Sequence, residues 1–169
     1  MSLFQHIPIY RSPLGGDGGG DSILAAITHY CRYQERSHKE VKNKLYELGC
    51  TTPEVDEYLI KVIEADFLNE ERFARAVARG KFRLKQWGRN KIVQQLKQQQ
   101  VSEFCIKKAL TEIDEDEYLA TAKKLVEKKL REIKSEKNIF IRKQKIYRYL
   151  AQKGYESSII NIALNETLK

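Results

Sequence analysis

From Ile23 onward the apolar residues recur at helical spacing, as in Ile23, Ile27 and Tyr30 and then Val41, Leu45 and Leu48, while strand-like alternation is nearly absent. Start and stop signals punctuate this pattern. Ser37 followed by His38-Lys39-Glu40 reads as a capping box, in which a serine oxygen accepts from the first-turn N–H groups. Thr52-Pro53-Glu54 reads as a second start, with Pro53 expected at the first helical position, where its missing N–H costs nothing and its fixed φ helps. Gly49 and Gly154 follow apolar-periodic stretches and read as left-handed stops.

The chain repeats itself. Val41, Ile92 and Ile146 are followed four residues later by Leu45, Leu96 and Leu150, and four beyond those by Gly49, Gln100 and Gly154. Val55, Ile106 and Ile160 come next, and then Leu59, Leu110 and Leu164. Helical period alone does not keep such offsets through an inter-helix turn, so this is tandem repetition. Each copy holds two helices joined by a short turn. A third helix precedes each pair, near residues 23–35, 70–85 and 115–133. The expected architecture is therefore all-α: three tandem three-helix, helix-turn-helix-like repeats in an elongated, curved arrangement, with neighbouring modules stacked or swinging on short links. The expected segments are 1–22, a flexible tail, native or appended, then repeats over 23–66, 67–113 and 114–169.

Leu14-Gly15-Gly16-Asp17-Gly18-Gly19-Gly20-Asp21-Ser22 has a flexible composition. It lacks the Gly-Lys-Ser/Thr ending and preceding strand of a phosphate loop. The whole chain has 169 residues and a formal net charge of +8, with 32% charged and 41% apolar residues. No apolar run suits a membrane span and no basic start precedes a long apolar stretch, so a cytoplasmic protein is expected. The charge excess sits in the middle: residues 67–110 carry 11 basic residues against 3 acidic ones. Such concentration points to a polyanionic partner.

Catalytic chemistry has little support. His6, His29 and His38 share no metal-ligand spacing with Cys or acidic residues, and no cofactor is expected. Cys31, Cys50 and Cys105 fall in or beside the apolar stripes, where a thiol acts as a small hydrophobe, and a reduced compartment fits their odd number. Asp114-Glu115-Asp116-Glu117 stands where a helix begins, and the helix dipole accounts for it.

The segment Glu70 to Ile92 carries the strongest constellation. At 100° per residue Phe73, Val77, Gly80 and Leu84 form the expected core face, and Arg72, Arg75, Arg79 and Arg83 line a separate stripe. Phe82 is expected to project beside that stripe, with Lys81 and Lys85 flanking it. Arg89 and Lys91 open the next helix, whose N–H groups favour anions. Like charges at i, i+4 repel, so the stripe is read either as meeting a polyanion or an acidic protein groove, or as a solvated face that pairs with first-repeat acids such as Glu54, Asp56, Glu57 and Glu64. Trp87 is expected to anchor the inter-helix turn by packing.

These residues also carry a resemblance. Tyr33-Gln34-Glu35-Arg36-Ser37-His38-Lys39-Glu40-Val41 with Lys44-Leu45 and Gly49, then Phe67-Leu68-Asn69-Glu70-Glu71-Arg72-Phe73-Ala74, Trp87-Gly88-Arg89-Asn90-Lys91-Ile92 and Tyr149-Leu150-Ala151-Gln152-Lys153-Gly154-Tyr155 together resemble the bacterial RecX family of regulators of the RecA recombinase. The resemblance covers roughly residues 22–168. It implies a non-enzymatic protein, expected as a monomer, that docks in the groove of the RecA filament on single-stranded DNA and restrains ATP hydrolysis and strand exchange. The expected contact set for RecA or DNA is Arg72, Arg75, Arg79, Lys81, Phe82, Arg83, Lys85, Arg89 and Lys91, with Arg75→Ala plus Arg79→Ala weakening the action. Two other readings stay open: a general DNA binder, and a helical scaffold for an acidic protein. One departure from the family pattern is Gln100 in place of a helix-ending glycine. Either Gln100 adopts a costlier conformation or the helix runs on.

Overall fold

The computed structural model describes residues 19–168, which form nine helices and no strand: α1 (Gly19–Tyr33), α2 (His38–Glu47), α3 (Thr52–Glu64), α4 (Glu70–Lys85), α5 (Arg89–Gln98), α6 (Glu103–Leu110), α7 (Glu115–Glu132), α8 (Ile139–Lys153) and α9 (Ser157–Thr167). They are three successive three-helix repeats. The chain divides between Asn69 and Glu70 into two compact units. Most of the glycine-rich segment lies outside the described residues, but its end begins α1 earlier than the expected start at residue 23.

In the first unit the serine cue acts as expected, whereas the second start lies one residue earlier: Thr51 is the N-cap of α3, and Pro53 takes the second helical position instead of the first. Ser37 Oγ accepts from the Glu40 N–H at 3.0 Å, and the Glu40 carboxylate accepts from the Ser37 N–H at 2.8 Å. The N–H and hydroxyl of Thr51 both donate to Glu54 at 2.7 Å, which holds the Glu54 carboxyl below the usual range. Ile27, Cys31, Val41, Leu45, Cys50, Val55, Tyr58, Val62 and Leu68 form the core of this unit.

The second unit joins α4–α6 and α7–α9 around one continuous core that includes Phe82, Ile92, Leu96, Tyr118, Leu125, Ile146, Leu150 and Tyr155. All three repeats close their second helix in the same way. Gly49 at φ 90°, Gln100 at φ 60° and Gly154 at φ 93° turn the backbone left-handed. The next residue in each case, Cys50, Val101 or Tyr155, donates its N–H to Leu45, Leu96 or Leu150 at 3.1–3.2 Å and buries its side chain. This bond and its apolar contact are the Schellman closure. Gln100 adopts the costlier conformation, and α5 stops at Gln98.

The face assigned to α4 is corrected. Its buried residues are Phe73, Ala74, Ala78 and Phe82, whereas Leu84 is 81% exposed and Gly80 is not in the core. The two alanines, fully buried, let α4 lie close to α6, so the core face rotates off Gly80 and Leu84 and onto Ala74, Ala78 and Phe82. Phe82 turns inward with it. The ring lies 5.8 Å from that of Tyr118 and is not a surface aromatic beside the arginines.

Candidate nucleic-acid interface

Rotation of α4 sets the fate of its arginine stripe. Arg75 and Arg79 converge on one carboxylate: Arg75 donates to Glu112 at 2.6 Å and Arg79 at 3.2 Å, while Arg75 also holds Glu71 at 2.7 Å. The Arg75 hydrogen bond, with Arg79 nearby, pulls the Glu112 carboxyl below the usual range. Thus the stripe meets acids of its own unit, Glu71 on α4 and Glu112 in the turn after α6. Arg72 also has a partner. Arg83 is exposed and makes no ion pair among the described residues.

The N-terminus of α5 is a second correction. Its N–H groups do not face an open anion site, because the end of α8 caps them. Gly88 N–H donates to the Lys153 carbonyl at 2.8 Å, Asn90 N–H to the Gly154 carbonyl at 3.0 Å, and Arg89 N–H to the Tyr118 hydroxyl at 2.9 Å. Orphan donors of one helix thus satisfy orphan acceptors of another, with their dipoles end to end. The approach requires glycine on both sides. A Cβ on Gly88 would lie 2.2 Å from Gly154 C, and one on Gly154 would lie 2.4 Å from Lys91 Cβ.

Arg89 locks this joint. Its guanidinium lies 4.1 Å from the centre of the Tyr118 ring and pairs with Glu115 at 2.6 Å and Glu156 at 3.7 Å. Burial and a 2.5 Å hydrogen bond to Glu156 push the Tyr118 hydroxyl far up, so it remains a donor. Tyr155 stacks on Tyr118 at 4.9 Å. Arg89 therefore ties the start of α5 to α7 and to the cap of α9.

The lysines stand differently. Lys81 and Lys91 place their ammonium groups 4.9 and 4.7 Å from the Trp87 ring centre, and Trp87 itself packs against the core. Lys91 donates to the Gln152 carbonyl at 3.4 Å, and Lys153 donates to the Lys85 carbonyl at 3.2 Å. In the basic run Arg142-Lys143-Gln144-Lys145 of α8, Lys145 is paired with Glu136 at 3.1 Å and Lys143 is exposed. Of the expected contact residues, the structure leaves Lys81, Arg83, Lys85 and Lys91 clear of carboxylates, diverts Arg75, Arg79 and Arg89 to internal acids, and buries Phe82.

All three cysteines are buried free thiols, and burial pushes Cys31 up to about 11. Asp114 caps α7 by accepting from the Asp116 and Glu117 N–H groups at 3.0 and 2.9 Å. Among the described residues no cluster of His, Cys, Asp and Glu suits a metal ion, and no helix is long and apolar enough to cross a membrane.

Comparison with known proteins agrees with this three-helix organisation. Models of the second and third three-helix domains of RecX match residues 69–110 and 115–164, together more than half of the chain. The chain belongs to the RecX family. The regulatory protein RecX of Clostridium perfringens (strain 13 / Type A) is 34% identical over 127 residues, covering 75% of this chain and 59% of the relative. RecX of Enterococcus faecalis is 31% identical over 144 residues, 85% of this chain and 54% of that one. The chain thus spans less than two-thirds of the length of these curated relatives. The crystal structure of RecX from Lactobacillus salivarius shares the fold with a TM-score of 0.81 at 23% identity, covering 88% of this chain and 96% of that chain. A second RecX crystal structure gives 0.79 at 24% identity, with 87% and 72% covered. The relatives bear the name of regulatory proteins, and a regulatory role is the family's.

Proposed function

We propose that this protein is a non-enzymatic, cytoplasmic regulator that binds the RecA filament on single-stranded DNA and lowers its ATP hydrolysis and strand exchange. Membership of the RecX family carries the reading. The surface chemistry supports it: the second unit keeps a set of cations clear of internal acids, which suits a partner combining acidic protein surface with nucleic-acid phosphates. Lys81, Arg83, Lys85 and Lys91 are its contact residues from the second repeat. Arg75, Arg79 and Arg89 serve it indirectly by fixing α4, α6 and the joint to the third repeat.

The test is RecA ATP hydrolysis on single-stranded DNA at fixed salt, titrated with this protein from well below to above the RecA concentration. A fall at substoichiometric amounts is expected. A fall only once protein suffices to coat the strand would replace this reading with a general DNA binder, and no fall would remove regulation of RecA altogether.

A further inference from the structure

The joint between the second and third repeats gathers positive charge that neither repeat holds alone. Lys91 and Lys153 cross it in opposite directions. Lys91, from α5, reaches the Gln152 carbonyl, and Lys153, from the end of α8, reaches the Lys85 carbonyl at the end of α4. Ring contacts help fix both: Lys91 on Trp87, and Lys153 on Tyr149 at 5.8 Å. Lys128 of α7 stands near enough that it and Lys91, together with burial, draw the Lys153 ammonium below the usual lysine range. One turn back along α7, Lys124 faces Arg83 across an open groove of about 300 Å³, which Phe82, Gln86, Ala120, Thr121 and the single acid Glu117 also line. Among the described residues, no carboxylate pairs with Arg83, Lys91, Lys124, Lys128 or Lys153.

Five cations gathered here have only Glu117 in the groove and Glu132, already held by Lys129, near them, and such an excess of like charge raises the energy of the free protein. Helix C-termini account for Lys91 and Lys153, whose ammonium groups meet terminal carbonyls. They do not account for Lys124, Lys128 or Arg83, which make no intramolecular hydrogen bond or salt bridge among the described residues. The spacing of these groups from α4 across α7 to α8 forms a track, not a point, and a track of singly charged donors suits a chain of phosphates better than one small anion. The groove is shallow, and the aromatic rings beside the track already carry lysines, which favours backbone contact over base reading.

We infer that Arg83, Lys124, Lys128, Lys153 and Lys91 form a two-repeat track that binds the phosphodiester backbone of single-stranded nucleic acid directly, without base specificity. The site is the nucleic-acid side of the regulatory reading above and rests on it for its biological use, but its chemistry is testable in the absence of RecA. The rigid joint presets the lysines from two repeats. Neither repeat alone completes the track.

The experiment measures binding of the full chain to a labelled single-stranded oligonucleotide across a salt series, for wild type, for Lys124→Gln plus Lys128→Gln, and for Lys42→Gln plus Lys143→Gln as a charge-matched control. The track variant removes two charges that make no hydrogen bond or salt bridge among the described residues, and circular dichroism verifies its helicity. Each phosphate neutralised on a single strand contributes about 0.7 to the slope of log affinity on log salt, so the track variant should lose about 1.4 from that slope. The control should keep the wild-type slope. Equal losses in both variants would mean that net charge alone drives binding, and an unchanged track variant, or no binding by wild type at low salt, would also overturn the site. Loss of RecA regulation with this slope intact would fault the filament reading and leave the track standing.

Discussion

The two basic regions of the second unit have similar composition and opposite circumstances. On the face of α4, Arg75 and Arg79 share Glu112, and at the head of α5 Arg89 is held by Glu115, Glu156 and Tyr118. At the edge of the joint, Lys91 and Lys153 meet backbone carbonyls and rings, and Lys128 beside them makes no salt bridge, its nearest acid, Glu132, being held by Lys129 at 2.9 Å. Arginine, with its fixed fork, staples helices here. Lysine, a compact point charge, meets single carbonyls and ring faces there and is left without a carboxylate in a salt bridge. A count of basic residues does not distinguish these roles, and their acid partners do.

The largest way to break the contrast is to pry open the joint. Gly88→Ala puts a methyl 2.2–2.3 Å from the Gly154 and Tyr155 backbone, and we expect a loss of about 3 kcal/mol in the stability of the second unit. Chemical denaturation should show this, and hydrogen exchange should speed up at the Gly88 and Asn90 amides while Val41 and Leu45 in the first unit keep their protection. Reduced affinity for single strands should follow even though no lysine has changed.

A smaller intervention makes the two regions alike. Glu112→Gln removes the carboxylate shared by Arg75 and Arg79, at a cost of about 1 kcal/mol because both pairs are partly solvent-exposed. The two guanidiniums then become available, and the salt slope of single-strand binding should steepen. Protonation approaches the same change. The folded-state value of Glu112 is lowered, so its contribution to stability is present above the usual carboxylate range and fades as pH falls through that lowered value. Stability measured from pH 6 to pH 3 should therefore fall less steeply in Glu112→Gln than in wild type.

The least effect is expected where the repeats differ without touching either region. Gln100→Gly relieves a left-handed conformation that the equivalent Gly49 and Gly154 adopt freely, and should raise stability by about 1 kcal/mol with nucleic-acid binding unchanged. A denaturation midpoint beside a binding isotherm checks both halves.

The repeat was legible because its columns are made of large residues at fixed offsets. Val41, Ile92 and Ile146 are all fully buried, as are Leu45, Leu96 and Leu150, and the strain at Gln100 was readable from the glycines at the matching positions. The face of α4 was not legible, because Ala74 and Ala78 carry little hydrophobic weight and are buried through close helix packing, which periodicity of large side chains misses. The joint was hidden for another reason. Its halves, Trp87 to Lys91 and Gln152 to Tyr155, stand more than sixty residues apart, so nothing local reveals that Gly88 and Gly154 need each other. Cys50, Val101 and Tyr155 form a further repeat column that was readable one position after each stop and went unnoticed, since the three residues share no chemistry beyond being apolar.

The most direct measurement compares the two regions in one assay: RecA ATP hydrolysis on single-stranded DNA, titrated with Arg75→Ala plus Arg79→Ala and, separately, with Lys124→Gln plus Lys128→Gln. The sequence placed Arg75 and Arg79 among the expected contacts, and their engagement with Glu112 is why this account assigns them a smaller share. The account requires the arginine variant to retain most of the wild-type potency and the lysine variant to need markedly more protein for the same inhibition, both with intact helicity. Loss of potency in the arginine variant alongside an unaffected lysine variant would contradict it.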